Sequence, residues 1–247
     1  LIDCDAARAG DLAQKLKPYR LRAKVTFDDR REDWRVATLW GDDAAAAVGL
    51  PQDSGAAAAF AGGIAYVDPR LVKGGVRVMA PAVPLDAALK AASAQTADDD
   101  AWRAHRIPLG LPDGSADIEI GKAVLLEYGF DELHGVSWSK GCYMGQELTA
   151  RTRYRGLVKK RLAPVRIAGD APPPGADLTF KGQSAGEMRS AMDGWGLALI
   201  KRPALLAATD PALDEPGVLR WRETRLTPAL PEWLEAALHH EPTDIAN

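Results

Sequence analysis

After Gly156 the chain consists of short apolar stretches, each bounded by turn-forming residues. Proline and glycine cluster at 171–175, and glycine recurs at 182–186. The stretches that we predict to be strands are 161–167, 177–180, 196–200 and 221–226. Several short strands with turn signals and almost no helix are typical of a small β-barrel or sandwich. We therefore predict a small C-terminal β-barrel over 157–230, followed by a helix and tail over 231–247.

Residues 1–156 show a different pattern, in which helices and strands are mixed. Apolar residues at helical spacing and helix-start residues predict helices, and alternation of apolar with charged residues predicts strands. The predicted helices are 5–17, 84–92 and 98–107, and the predicted strands are 21–27 and 34–40. Because these elements do not alternate strictly as βαβ units, we predict that the chain is of the α+β class.

Size and charge narrow the classes of function. The chain has 247 residues, 47% of them hydrophobic, a net charge of −3 and 2 cysteines. A chain of this length can bury a sizeable hydrophobic core. Its net negative charge does not favour binding of nucleic acid by the whole molecule, and it has no apolar run long enough to span a membrane. Two distant cysteines indicate no disulfide framework, so we expect bacterial cytoplasm or an organelle matrix. Because residue 1 is Leu, we also expect a missing upstream segment.

The sequence most suggestive of function is residues 140–147, Lys-Gly-Cys-Tyr-Met-Gly-Gln-Glu. Cys142 lies between Gly141 and Gly145, and glycines let the backbone approach a ligand closely. Lys140 is two residues before the cysteine, and a nearby cation favours a reactive thiolate. Free cysteines are also among the most buried residues, so an inert buried thiol is an equally open interpretation.

A helix is predicted directly after this motif, and a basic segment follows. Glu147 and Arg151 are four residues apart, as in a stabilising surface pair. Residues 148–169 contain no acidic side chain, and the basic ones are Arg151, Arg153, Arg155, Lys159, Lys160, Arg161 and Arg166. This basic stripe either meets a polyanion, such as a polyglutamyl tail, RNA or an acidic partner, or is a solvated linker.

Metal and hydrolytic motifs are not found in the sequence. The cysteines and histidines show no paired ligand spacing, and one thiolate cannot hold an iron–sulfur cluster by itself. A cluster at Cys142 would need ligands from a partner or from a small thiol. His134 precedes the motif and is either a base or a turn residue. Glycine-rich phosphate loops and hydrolase signatures are missing, so those functions lack support.

The motif resembles the signature of the YgfZ-type folate-binding proteins, which belong to the GcvT-like family of relatives of the glycine-cleavage aminomethyltransferase. The similarity continues through 148–152 and 156–166, where it is closest to the mitochondrial and alphaproteobacterial branch of iron–sulfur cluster assembly factors. Weaker similarity covers most of the remaining chain, including 106–110 and 129–138.

This resemblance implies a tetrahydrofolate-binding α+β domain over 1–156 and a β-barrel after it. It implies a role in assembling or repairing iron–sulfur clusters, with folate and iron–sulfur carrier or client proteins as partners and Cys142 as the functional thiol. Arg106 and Arg151 are the expected contacts for folate carboxylates. The residues expected to shape the loop around Cys142 are Lys140, Gly141, Tyr143, Gly145, Gln146 and Glu147.

Three hypotheses follow. The first is a folate-binding iron–sulfur assembly or repair factor that uses Cys142 and holds a cluster transiently. The second is a tetrahydrofolate-dependent aminomethyl or one-carbon transferase, for which we can name no acidic folate-site residue, so whether the chain is an enzyme stays open. The third is an RNA- or protein-binding module that uses the basic stripe 151–166.

Overall fold

The computed structural model describes residues 1–210, 212 and 217–239. The chain divides into two compact units, Leu1–Thr96 and Ala97–Asn247. In the described part of the chain, no helix has both the length and the apolar character needed to cross a lipid bilayer. The expected C-terminal helix is present, whereas the tail expected over 240–247 lies outside the described residues.

The first unit combines three α-helices and a sheet. Its helices are α1 (Ala9–Leu16), α2 (Ala44–Ala47) and α3 (Ala82–Ala91). Its strands are β1 (Trp34–Leu39), β2 (Ala57–Phe60), β3 (Gly63–Val67) and β4 (Val76–Pro81).

The second unit contains the remaining elements. Its helices are α4 (Asp99–Arg106), α5 (Gly114–Asp117), α6 (Gln146–Tyr154), α7 (Arg202–Ala208) and α8 (Glu232–His239). Its strands are β5 (Lys160–Ala168), β6 (Asp177–Phe180), β7 (Gln183–Met192), β8 (Trp195–Lys201), β9 (Leu219–Trp221) and β10 (Thr224–Pro228). Short 3-10 helices in the two units are Ala6–Arg8, Lys17–Arg20, Val72–Gly74 and Leu125–Tyr128.

The sheet of the first unit is antiparallel, in the order β1-β4-β3-β2. Alternate residues of β4 are buried, because successive side chains of a strand point to opposite faces. Val76, Val78 and Ala80 therefore face the core, where Leu85 of α3 packs with them. The predicted strand 34–40 is confirmed as β1, at the edge of this sheet.

The predicted strand 21–27 is wrong. These residues form no ladder, and their backbone bonds are local, such as the Ala23 N–H to the Arg20 carbonyl at 2.9 Å. Val25 and Phe27 are 48% and 36% exposed. Alternation of apolar and charged residues stabilises a strand when a neighbouring strand supplies hydrogen bonds and one face is covered. In the described part of the chain, neither condition is met at 21–27.

The predicted β-barrel is confirmed. Six strands close in the order β10-β5-β8-β7-β6-β9, with β9 paired back to β10. Every pair is antiparallel, and the interior is filled by apolar side chains such as Leu178, Met188 and Leu226. Together with the mixed first half, this barrel confirms the α+β class.

Helix α8 belongs to the barrel core. Leu234 and Leu238 are fully buried there, one helical turn apart on the same face. The Trp233 indole N–H donates to the Leu109 carbonyl oxygen at 3.0 Å, which ties the helix to the segment after α4.

The segment 97–156 is joined to the barrel through buried polar contacts. The buried Arg161 on β5 donates to the Leu126 carbonyl at 2.9 Å, and Arg189 on β7 donates to the Tyr128 hydroxyl at 3.0 Å. Burial raises the pKa of the Tyr128 hydroxyl, an effect that the nearby Arg189 opposes. These contacts explain why the compact units divide at residue 96, whereas the functional division expected at residue 156 stays a prediction.

The docking of α8 can be tested by truncating its buried face. We expect Leu234→Ala to lower the free energy of unfolding by about 2–5 kcal/mol, because it removes a fully buried leucine from the barrel core. Glu235→Ala, at an exposed position of the same helix, should change it by less than about 0.5 kcal/mol. Urea unfolding followed by circular dichroism measures both, and equal effects of the two substitutions would contradict the packing described.

Candidate functional site

The segment that carries Cys142 is held at both ends by the carboxylate of Asp131. The Trp138 indole N–H donates to Asp131 Oδ1 at 2.6 Å, and Arg153 Nε lies 3.0 Å from Asp131 Oδ2. The Arg153 guanidinium also stacks over the Trp138 ring, 4.3 Å from its centroid. Trp138 precedes the motif and Arg153 lies on α6 after it. One carboxylate therefore joins the two ends of the segment, and we call this three-residue contact the Asp131 clamp.

Inside the motif, Gln146 closes the turn that leads into α6. Its side-chain oxygen accepts a hydrogen bond from the Tyr143 N–H at 2.9 Å, and its own N–H donates to the Tyr143 carbonyl at 3.2 Å. Gly145 between them has φ = +87°, a left-handed conformation that side chains with a Cβ rarely adopt. These features explain why glutamine and glycine occupy these positions.

The Tyr143 side chain points its hydroxyl into the protein, and the Lys140 ammonium lies over its ring. The Lys140 ammonium lies 5.0 Å from the centroid of the Tyr143 ring, within the range of a cation–π interaction. Lysine 140 therefore contacts an aromatic face of the loop. The Tyr143 hydroxyl is buried and has no hydrogen-bond partner among the described residues.

Cys142 is an exposed free thiol. The interpretation of a buried cysteine is therefore wrong, whereas the reactivity of the thiol stays a prediction. Exposed apolar side chains follow it, with Met144 78% and Leu148 68% exposed. The motif thus presents a reachable sulfur beside apolar surface, on a segment whose two ends are fixed by the Asp131 clamp.

Comparison with known proteins agrees with the barrel described above. The family model for the CAF17 C-terminal beta-barrel domain matches residues 159–236. The human mitochondrial iron–sulfur cluster assembly factor IBA57 is 35% identical over 251 residues, which cover 94% of this chain and 64% of the human protein. These matches confirm the resemblance of the chain to the YgfZ/GcvT-like family.

Further relatives carry the same description. The mouse protein of that name is 30% identical, covering 96% of this chain and 64% of its own length. The homolog from Mycosarcoma maydis is 35% identical over 70% of this chain and 40% of its own length. This chain thus spans less than two thirds of the length of these relatives. Their names place them in mitochondria, one of the two settings expected from the sequence, while the bacterial cytoplasm has no support from these names.

Two further candidate site residues, one in the motif and one after it, are exposed. Glu147 and Arg151 lie on α6, and the ion pair expected from their spacing is not formed within the described chain. The Arg151 guanidinium is therefore available to a ligand near the loop.

Arg106 lies in a different environment from the one expected for a ligand contact. It is 1% exposed at the end of α4, and its Nη1 donates to Asp117 Oδ2 at 2.6 Å and to the Leu111 carbonyl at 3.0 Å. A buried ion pair of this kind is strongly destabilised when one partner is removed. The structure thus gives Arg106 an intramolecular partner, and its contact with a folate carboxylate stays a prediction.

The basic stripe 151–166 is not a single surface. Arg161 is buried and lies 2.9 Å from Glu132, and Arg153 is held by the Asp131 clamp. Arg166 lies on the barrel, where its guanidinium stacks 3.6 Å from the centroid of the Trp195 ring. The helix-to-strand transition within the stripe therefore turns its basic side chains in different directions.

The described part of the chain offers few side chains that could bind a metal ion or act as an acid or base. Among residues 1–210, 212 and 217–239, no group of three His, Cys, Asp or Glu side chains is arranged to hold a metal ion. His134 has φ = +59° and its N–H donates to the Asp131 carbonyl at 3.1 Å, which favours its interpretation as a turn residue.

Sequence reasoning missed the Asp131 clamp. Asp131, Trp138 and Arg153 are separated by 7 and 15 positions, and no single helix or strand contains two of them, so no periodic pattern relates them. The only sequence signal for the clamp was the residue types, since an aspartate carboxylate can accept hydrogen bonds from both an indole and a guanidinium.

The clamp can be tested by removing its carboxylate. Hydrogen bonds to charged groups contribute about 1.5–3 kcal/mol. We therefore expect Asp131→Ala to speed amide hydrogen exchange of the Tyr143 N–H by about tenfold or more, as local opening becomes easier. Asp170→Ala removes an exposed carboxylate elsewhere in the same unit and should leave this rate unchanged. Mass-spectrometric exchange of peptides over 139–149 measures it, and equal protection in both variants would show that the clamp does not hold the loop.

Proposed function

We propose that this chain is an iron–sulfur cluster assembly factor that offers Cys142 as one ligand to a cluster in transit. The observation that carries the proposal is the exposed thiol on a segment fixed at both ends by Asp131. Two relatives that match nearly the whole chain are named as iron–sulfur cluster assembly factors. Their names and the geometry of the loop support the same chemistry.

The loop suits temporary ligation for two reasons. A sulfur that must pass a cluster to another protein has to be reachable, and Cys142 is exposed. It must also be held in place, because a ligand that moves freely loses conformational entropy when it binds. The Asp131 clamp and the Gln146 turn meet this second requirement without burying the thiol.

The number of ligands implies a partner. Iron–sulfur clusters are usually held by four protein ligands, and residues 140–147 contain one cysteine. The remaining ligands are therefore expected from a carrier or client protein, or from a small thiol. Ligation requires the thiolate, so the Cys142 proton leaves when its sulfur binds iron. The exposed Met144 and Leu148 beside the thiol provide apolar surface that such a partner can cover.

The chain has a matched control for this experiment, because Cys4 is also an exposed free cysteine. A [2Fe–2S] cluster complexed by glutathione is supplied anaerobically, so that one glutathione thiolate leaves as Cys142 binds. We expect wild type and Cys4→Ser to acquire the visible absorption of a bound cluster after desalting. Cys142→Ser should lose at least about nine tenths of it, since a hydroxyl is a poor iron ligand.

A fold control accompanies the assay. Cys142→Ser changes one exposed atom and should alter the free energy of unfolding by less than about 0.5 kcal/mol. Retention of the cluster by a folded Cys142→Ser variant, or its equal loss in Cys4→Ser, would refute the assignment of Cys142.

The finer part of the proposal is that the chain binds tetrahydrofolate next to this loop. Its support is the resemblance of residues 140–147 to the folate-binding signature, together with the exposed Arg151 on the helix that follows. An arginine guanidinium pairs with a carboxylate through two parallel hydrogen bonds. The motif residues Lys140, Gly141, Tyr143, Gly145, Gln146 and Glu147 would line the same ligand.

Folate binding can be measured by anaerobic titration with tetrahydrofolate. Trp138 lies at the start of the loop, so quenching of tryptophan fluorescence is the expected signal. We expect Arg151→Ala to weaken binding by about tenfold, the effect of losing one charge-assisted contact. Arg220→Ala, an exposed arginine on barrel strand β9, is the matched control and should bind as wild type does. Saturable binding that both variants retain would remove Arg151 from the site.

A further inference from the structure

A cleft of about 810 Å³ lies within the second unit. Its walls come from the end of α6 and the linker after it, from the segment around Glu132, and from α8. Neither Cys142 nor any other residue of 140–147 lines it. The volume is that of pockets that hold small molecules, which are commonly about 300–1,000 Å³.

Among the described residues, four arginines and two acids line this cleft, so their charges do not balance. Two arginines are paired, Arg153 with Asp131 and Arg161 with Glu132. The other two arginines of the lining, Arg202 and Arg155, form no ion pair with a described acid. Arg202 donates to the Leu238 carbonyl at 3.1 Å, a neutral acceptor that does not cancel its charge.

Arg155 contributes the second uncompensated charge. Its guanidinium is exposed at the C-terminal end of α6 and has no hydrogen bond or ion pair with any described residue. The described lining therefore carries two positive charges in excess, in a chain whose net charge is −3. This local reversal of sign favours an anionic occupant.

Buried polar atoms in the lining also lack partners. Arg161 is 9% exposed, and its Nη1 serves the Leu126 carbonyl and Glu132 Oε1, both at 2.9 Å. Its Nε is buried and finds no acceptor in the described chain, and Glu132 Oε2 likewise finds no donor. A buried polar group without a partner costs about 1–3 kcal/mol, which a suitable ligand would recover. Arg161 thus adds an observation that is independent of the net charge.

We infer that this cleft binds a small molecule with at least two carboxylate or phosphate groups. Carboxylate and phosphate share the chemistry that arginine recognises, since both accept two parallel N–H bonds from a guanidinium. The uncompensated Arg155 and Arg202 bind the anionic groups, and the indole of Trp233 provides an apolar wall for the carbon skeleton. This site does not depend on the proposed role of Cys142.

Two probes separate the sources of negative charge: citrate, a tricarboxylate, and inorganic pyrophosphate. Isothermal titration calorimetry of the full chain at low salt should show saturable binding of at least one. We expect Arg155→Ala to weaken it by about tenfold or more, because that residue gives up a charge-assisted contact and no intramolecular one. Binding should also weaken as salt is added, since the attraction is electrostatic.

Three controls make the result decisive. Arg220→Ala removes the same charge from an exposed position on β9 and should leave binding unchanged. Arg202→Gln should weaken binding as Arg155→Ala does, and Cys142→Ser should bind like wild type, so this site and the cluster site can fail separately. Absence of binding for both probes at millimolar concentration, or equal weakening by Arg155→Ala and Arg220→Ala, would overturn the inference.

Discussion

The carboxylate of Asp131 is the interaction on which the candidate site depends. Residues 134–151 contain no buried apolar side chain, so the motif has no hydrophobic core of its own to define its conformation. Its order comes from polar contacts, chiefly Asp131 with Trp138 and Arg153, and Gln146 with Tyr143. Such contacts hold a backbone in place while leaving Cys142 exposed. A loop that had to bury apolar residues for its stability could not present a thiol in this way.

Helix α6 connects the two sites that we propose. Its first residue, Gln146, closes the turn of the thiol loop, and its C-terminal end supplies Arg153 to the wall of the cleft. Arg153 serves both, because it belongs to the Asp131 clamp and also lines the cleft. The same short helix therefore lies between the thiol that we propose as a cluster ligand and the surface that we propose to bind an anion.

Part of this fold could be predicted from the sequence because its signals are local. The barrel follows from proline and glycine turns between short apolar stretches, and α4 begins where Asp98 accepts a hydrogen bond from the Ala101 N–H at 2.9 Å. The strand expected at 21–27 failed because pairing depends on a neighbour that local alternation does not specify. The fate of Arg106 also escaped prediction, since only packing brings Asp117 to it and buries both.

The sequence by itself determined the residue types of the motif, the α+β class and the barrel, because these depend on turn chemistry, periodicity and the properties of single side chains. Tertiary structure decided which of those residues are available for function. It exposed Cys142 and Arg155, buried Arg106 and Arg161, and brought Asp131 to the two ends of the loop. The physical reason is that burial and partner choice depend on contacts between distant segments, which no local pattern records.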